Sequence, residues 1–495
     1  MKIEAPDPAF VAIDLGAGSG RVVVGSFGDD ALECKEVKRF PQQARFAGGH
    51  ERWDFEALWS NVQSGLRAAA DACDMTSVRS VGACGWGVDY GLLDADQTLI
   101  EDPVCYRDAR TQGAIERWIE RISPGEIYKR SGIQFMPINT SVQLFAQNRD
   151  REWPDRARRL AMLPDLVHLR ACGVLRGEVT NASTTQLLNV WTRTWDEALL
   201  RSVHVNPNVM PPLVQPGTRL GSLCRDLGLP PWDVVCPATH DTASAVVGTP
   251  LEDGWAYLSS GTWSLLGVEL EDPILDDRAM RSNFTNEAGY GGVVRFLKNV
   301  MGLWLLEQCR ASWEREGRPL SREDLAKGLT DGEPGSVFVD PDDLRFLNPK
   351  DMAREITLSF ERTRQPAIRD PLEVCKVVLE SLALRYAEVV RELERVSGRR
   401  VRGVHVVGGG SRNRFLNQAT AEATGLPVRA GPAEATSVGN LVAQAIAAGR
   451  FEGLADARAY LARVLPPETF EPKRAGAWTW ARERFEVVVE RARRG

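Results

Sequence analysis

The chain has 495 residues, 43% of them hydrophobic and 26% charged, with a formal net charge of −6. That length exceeds a single compact core, so two domains of roughly 200–250 residues each are expected. The acidic balance excludes the basic footprint of a nucleic-acid binder, and no apolar run reaches the roughly 18 residues of a membrane span, so neither partner is expected.

The opening, MKIEAPDPAF, lacks the apolar core of a signal peptide, and a cytoplasmic location is expected. The first strand signal is Val11-Ala12-Ile13, ending in Asp14. Gly16, Gly18 and Gly20 punctuate a turn before Val22-Val23-Val24, which reads as strand, turn, strand. Residues 55–72 repeat apolar side chains at helical spacing (Phe55, Leu58, Trp59, Val62, Leu66). Ser80–Cys84 reads as a strand leading into Gly85-Trp86-Gly87-Val88-Asp89-Tyr90, with Leu92-Leu93 continuing a hairpin. Helical signals follow near 113–122 and 155–171.

The grammar then restarts. Val234–Ala238 is a strand, and His240-Asp241-Thr242-Ala243 opens a helix. Trp255–Val268 is a second strand–glycine–strand unit. Lys298-Asn299-Val300-Met301-Gly302 reads as the start of an amphipathic helix. A long helix is expected over 371–396, then a strand over 403–407 ending in three glycines, then a helix over 412–424. These readings place the domain boundary near residue 245, giving domains 1–245 and 246–495. Two α/β halves of similar grammar point to a ligand in the cleft between them.

Nine cysteines are scattered with no CxxC pair, and five histidines form no HxxxH or HExxH. A structural zinc site is therefore not expected, and the thiols read as buried and reduced.

Three glycine turns and one carboxylate carry the chemistry. In Asp14-Leu15-Gly16-Ala17-Gly18-Ser19-Gly20-Arg21, glycines let backbone N–H groups approach phosphate oxygens, while Ser19 adds a hydroxyl and Arg21 a fixed charge. The turn is neither a Walker A nor a Rossmann fingerprint, because no Gly-Lys-Ser/Thr and no helix follows. Ser259-Ser260-Gly261-Thr262-Trp263-Ser264 clusters donors beside a glycine, and Val407-Gly408-Gly409-Gly410 would let a flat ligand lie on the backbone. Each of the three is equally compatible with a plain turn when taken alone; their recurrence at strand ends in both halves favours phosphate binding. Asp241 reads either as a helix cap or as the base that phosphorylation of a hydroxyl needs. Trp86–Tyr90, Tyr106–Thr111 and Asn181–Gln186 are further polar runs that fit a sugar site or ordinary structure.

The ordered set formed by Asp14–Arg21, Trp86–Asp89, Tyr106–Thr111, Asn181–Leu187, His240–Ala245, Ser259–Ser264, Phe296–Leu306, Val407–Gly410 and Ala430–Thr436 resembles the FGGY carbohydrate kinases. Within them it is similar to those that act on L-rhamnulose, and the resemblance runs from about residue 11 to about residue 447. It implies an α/β, actin/hexokinase-like fold of two ribonuclease-H-like domains with an interdomain active-site cleft. It also implies transfer of the ATP γ-phosphoryl to the 1-hydroxyl of L-rhamnulose, with Asp241 as proton acceptor. Ala17, Gly18, Ser19, Gly20, Arg21, Thr262 and Gly409 would contact ATP, with Glu307 also in that site. Gly87, His240, Thr242 and Asn299 would contact the sugar. Asp14 would hold Mg²⁺ through water. A kinase for another ketose, such as L-fuculose or L-xylulose, shares these loops; a non-catalytic nucleotide-dependent sensor on the same fold is the alternative of a different class. Two departures stand out. Glu307 occupies a position where the family often has Gln, and Thr420 and Thr424 stand where some relatives carry paired cysteines.

Overall fold

The computed structural model describes residues 8–149, 154–330 and 332–494. They divide into two compact units. The first comprises the described residues within 1–250, 269–296 and 435–466; the second comprises those within 251–268, 297–434 and 467–495. Among the described residues no helix is long and apolar enough to cross a membrane.

The first unit is built on a six-stranded sheet. Its order is Thr218–Ser222, Asp233–Cys236, Val78–Gly85, Ala9–Leu15, Ser19–Phe27, Leu32–Pro41. Ala9–Leu15 pairs antiparallel with Ser19–Phe27, which pairs antiparallel with Leu32–Pro41. Ala9–Leu15 pairs in parallel with Val78–Gly85, which pairs in parallel with Asp233–Cys236. A parallel pair needs a crossover, and the helix Phe55–Ala72 supplies one. Asp54 caps it by accepting the Ala57 N–H at 2.9 Å. Its apolar stripe (Phe55, Leu58, Trp59, Val62, Leu66) is buried. Gly65 lets this helix sit close, since a Cβ there would lie 2.4 Å from a Val22 methyl. On the sheet, Phe10, Ala12, Val23 and Phe27 pack against the helices Asp241–Val247 and Ala435–Ala447 through Ala243, Val247, Leu441, Val442 and Ala445.

The second unit repeats the plan. Its sheet runs Val294–Met301, Trp263–Leu270, Trp255–Ser260, Gly403–Val407, Val428–Ala430, Glu468–Phe470, the first two strands having their far ends in the other unit. Trp255–Ser260 is antiparallel to Trp263–Leu270 and parallel to Gly403–Val407. In both units five strands thus lie in the order third, second, first, fourth, fifth, the ribonuclease-H-like plan. The 27-residue helix Pro371–Ser397 is capped by Asp370 and stopped by Gly398 at φ 68°. It packs on the helix Arg414–Thr424.

Several local expectations are corrected. Residues 298–301 lie on the strand Val294–Met301, and the helix starts only at Trp304. Tyr90–Leu93 pairs with Arg159–Met162, not with its predecessor, so only Leu163–Cys172 of the 155–171 segment is helical. Asn181 lies in the short helix Val179–Thr184. All nine cysteines are free; Cys84, Cys105, Cys236, Cys309 and Cys375 are buried, whereas Cys34 is exposed.

Candidate active site

Parallel strands carry their carboxyl ends to one edge of a sheet, where ligands of α/β proteins bind. In the first unit that edge gathers three segments. Leu15 O accepts the Trp86 N–H at 3.1 Å, and Thr239 O accepts the Gly85 N–H at 2.8 Å. These bonds bring together the turn after Asp14, the turn after Gly85 and the His240–Asp241 pair.

The first turn is tightened by the Gly16 N–H donating to Ser19 O at 3.0 Å. Gly20 has a packing reason: a Cβ there would lie 2.3 Å from the Phe40 ring. Gly18 has neither a positive φ nor a neighbour within 4 Å of a Cβ position, so the space above it is open to a ligand. Asp14 is buried, and its Oδ2 accepts from Arg21 Nε at 2.8 Å and Ser437 Oγ at 2.8 Å. Among the described residues no donor reaches Oδ1. A carboxylate with one oxygen held by a guanidinium and the other left over suits a metal held through water better than a direct ligand cage. No group of three or more metal-ligating side chains occurs among the described residues.

Asp241 is the first residue of the helix Asp241–Val247, with His240 at the capping position. Its Oδ1 accepts the Thr242 N–H at 2.6 Å and the Thr242 hydroxyl at 3.3 Å, and lies 3.4 Å from His240 Nε2. Burial pushes the Asp241 carboxyl above its ordinary value, His240 opposes this, and the Asp14 charge adds to it. The loop entering the helix is held from below by buried Glu178. Its Oε2 accepts the Thr239 N–H at 2.8 Å and the Thr239 hydroxyl at 2.9 Å, and its Oε1 accepts the Thr180 N–H at 2.8 Å. His240 N–H in turn donates to Thr180 Oγ1 at 3.2 Å.

Gly87 also has a packing reason: a Cβ would fall 2.8 Å from Thr184 Oγ1. Next to it Val88 takes φ 68°, a conformation unusual for a β-branched residue. The strained turn is over-determined, as Thr140 Oγ1 donates to Val88 O at 2.7 Å and Gln143 Nε2 donates to the same oxygen at 3.2 Å. Asp89 Oδ2 accepts the indole N–H groups of Trp53 at 2.6 Å and Trp86 at 2.9 Å. Burial raises the Asp89 carboxyl to about 6 against these donors. The Tyr106–Thr111 run is structural in part: Asp108 accepts the Glu51 N–H at 2.9 Å and faces His50 Nδ1 at 3.1 Å. Trp86–Tyr90 and Asn181–Thr184 therefore meet through Gly87 and Thr184.

In the second unit two glycine turns meet. Ser259 lies opposite Val407 in a parallel pair, and a Cβ on Gly410 would lie 2.0 Å from Ser260 Oγ. Gly408 takes φ 79°. Gly409 has neither requirement and faces open space. The 259–264 turn is anchored by Gly302 N–H and Trp304 N–H, both donating to Thr262 O at 3.2 Å. Asn299 is half-buried on the strand Val294–Met301, beside buried Lys298, which pairs with Glu392. Glu307 sits in the first turn of the helix Trp304–Arg315 and is paired with Arg310 at 2.9 Å and Arg322 at 3.1 Å. Its extra negative charge relative to Gln is therefore compensated locally. Thr420 and Thr424 donate their hydroxyls to the carbonyls four residues back, each at 2.7 Å.

The structure thus groups Asp14, Ala17–Arg21, Gly87 and His240–Thr242 in the first unit, and Thr262, Asn299, Glu307 and Gly409 in the second. Sequence reasoning missed Glu287 and Arg295, both buried beside His240. Glu287 stands in Thr285-Asn286-Glu287-Ala288 and Arg295 in Val294-Arg295-Phe296, and neither local pattern marks a site.

A curated relative named Rhamnulokinase, from Bacteroides thetaiotaomicron, is 39% identical over 486 residues, covering 97% of this chain and 99% of its own. Another of that name, from Bacillus subtilis, is 39% identical over 473 residues, covering 94% and 95%. Gluconate kinase from Lactobacillus acidophilus superposes with a TM-score of 0.77 at 14% identity, covering 98% and 97%, which shows the two-domain, actin/hexokinase-like α/β fold. The family model described as the N-terminal domain of the FGGY carbohydrate kinases matches residues 9–248, and that of the C-terminal domain matches residues 256–448. With both domain models matched in order and relatives 39% identical over nearly the whole chain, the chain belongs to the FGGY family of carbohydrate kinases.

Proposed function

We propose that this chain transfers the γ-phosphoryl group of ATP to the 1-hydroxyl of L-rhamnulose, giving L-rhamnulose 1-phosphate and ADP in L-rhamnose catabolism. The observation that carries the chemistry is Asp241: a carboxylate at a helix N-terminus, raised above its ordinary value, with donors on one oxygen only. The sugar follows from near-full-length relatives named Rhamnulokinase. In this reading residues 1–245 form the sugar-side domain with the first phosphate turn, and residues 246–495 form the ATP-side domain.

Asp241 accepts the proton of the attacking hydroxyl as the bond to phosphorus forms. Gly87, His240, Thr242 and Asn299 contact the sugar. The turn Ala17, Gly18, Ser19, Gly20, Arg21 contacts ATP, together with Thr262, Glu307 and Gly409. Arg21 and the backbone N–H groups of the turn stabilise charge on the transferring phosphoryl. Asp14 would hold Mg²⁺ through water, and the ion would supply neutralisation of phosphate charge there. The test is a panel of ketoses in a coupled ADP assay. L-Rhamnulose should give the highest kcat/KM. Preference for L-fuculose or L-xylulose would move the assignment to another ketose, and absence of ADP release with every sugar would favour a nucleotide-dependent sensor.

A further inference from the structure

Two donors reach Asp241, both on one oxygen, and a His240 ring nitrogen lies near that same oxygen. Oδ1 faces the Thr242 N–H at 2.6 Å, the Thr242 hydroxyl at 3.3 Å and His240 Nε2 at 3.4 Å. Among the described residues none reaches Oδ2. Whether His240 belongs with these donors depends on which ring nitrogen carries its proton.

The surroundings of the other nitrogen decide that. His240 Nδ1 lies 3.1 Å from Arg295 Nη2 and 3.4 Å from Glu287 Oε2. A guanidinium only donates and does not lose its proton in a protein, so the nearer partner requires Nδ1 to accept. Arg295 is itself fixed. Its Nη2 donates to Glu287 Oε2 at 2.9 Å and its Nε to Ala288 O at 3.1 Å, and the side chain is fully buried.

We propose that Arg295, held by Glu287, is a positioning residue that locks His240 as the neutral Nε2–H tautomer, so that His240 donates to Asp241 Oδ1 and leaves Oδ2 as the oxygen that takes the substrate proton. This deepens the kinase reading and rests on it for the identity of the reacting hydroxyl. Without the guanidinium, Glu287 would draw the proton to Nδ1. The Nε2 lone pair would then face Oδ1, and repulsion would turn the carboxylate or protonate it. The other charged groups around this pair are Asp14, whose charge acts on Asp241, and Glu178, which reaches His240 only through Thr180 and Thr239.

The test is side-chain nitrogen NMR of the full chain labelled with ¹⁵N-histidine, with the His240 signals assigned by loss in His240→Gln. The wild-type ring should show the neutral Nε2–H form at pH 7, and Arg295→Met should convert it to Nδ1–H. An Nδ1–H ring or an imidazolium in the wild type overturns the proposal. This spectrum needs no substrate, so it separates failure of the proposal from failure of the kinase assignment. In turnover, Arg295→Met should lose kcat about tenfold, the value of one hydrogen bond to a charged group, with the ketose KM little changed. Arg295→Lys should recover part of that loss. Full kcat in Arg295→Met would overturn the positioning role. Should Arg295→Met fail to fold, Glu287→Gln decides: it keeps the guanidinium on Nδ1 and should retain the wild-type tautomer, whereas a switch to Nδ1–H would show that Arg295 does not set it.

Discussion

Gly439→Ala is the substitution that best tests how the fold holds the proposed base. Gly439 lies on the helix Ala435–Ala447, where it crosses the helix Asp241–Val247. A Cβ at 439 would sit 1.7 Å from Ser244 O and 2.7 Å from Gly248 N. Both are backbone atoms, so no rotamer change relieves the clash. The helices must separate by about 1.7 Å to restore ordinary contact. Overpacking of this kind costs about 2–3 kcal/mol, which in a unit of about 300 residues corresponds to a fall in Tm of about 3–5 °C. The same shift moves Asp241, three residues before Ser244, and a misplacement of about 1 Å costs about 100-fold in turnover. Differential scanning calorimetry and the coupled ADP assay read the two effects on one preparation. A Gly439→Ala protein with wild-type Tm and wild-type kcat would refute the account of this crossing.

Three further outcomes are expected. Since burial raises the Asp241 carboxyl, and the base must be ionised to act, kcat/KM should fall with decreasing pH along a limb above the ordinary carboxylate value of 3.8; a pH–rate profile whose limb lies at or below that value contradicts the assignment. Asp89, raised from 3.8 to about 6, carries a penalty that is absent below pH 3.8, grows as pH rises, and is complete above about 6. Asp89→Asn should therefore gain on the wild type by up to about 3 kcal/mol between pH 4 and pH 8 in urea unfolding, with no change in the difference counting against it. Glu307→Gln removes a half-exposed carboxylate paired with Arg310 and Arg322. It should alter stability by no more than about 1 kcal/mol and the ATP KM by less than about threefold, as steady-state kinetics and thermal melting would show.

The features that chain grammar exposes are those set by backbone geometry. The turns at Gly16–Gly20, Gly261 and Gly408–Gly410 were legible because short apolar, strand-like runs adjoin the glycines, and they lie at strand ends in the structure. The long helix was legible from its apolar spacing, and the structure adds Asp370 and Gly398 as its caps. Lys298–Gly302 misled because a short apolar segment fits helical and strand periods alike; pairing within the sheet chose the strand. Arg159–Met162 is likewise a strand only because Tyr90–Leu93 lies opposite. Asp241 was named as cap or catalyst, and the structure puts it one residue inside the helix with His240 as the cap. Arg295 and Glu287 escaped because a buried ion pair leaves no periodic trace in the sequence.

Asp241→Asn, with ketose binding measured by calorimetry and ADP release measured under saturating ATP, tests the proposed chemistry most directly. Binding should stay within about threefold while turnover falls by at least about 100-fold, the lower range for removing a general base. A variant that bound the sugar and kept near-wild-type kcat would show that the carboxylate is not the proton acceptor.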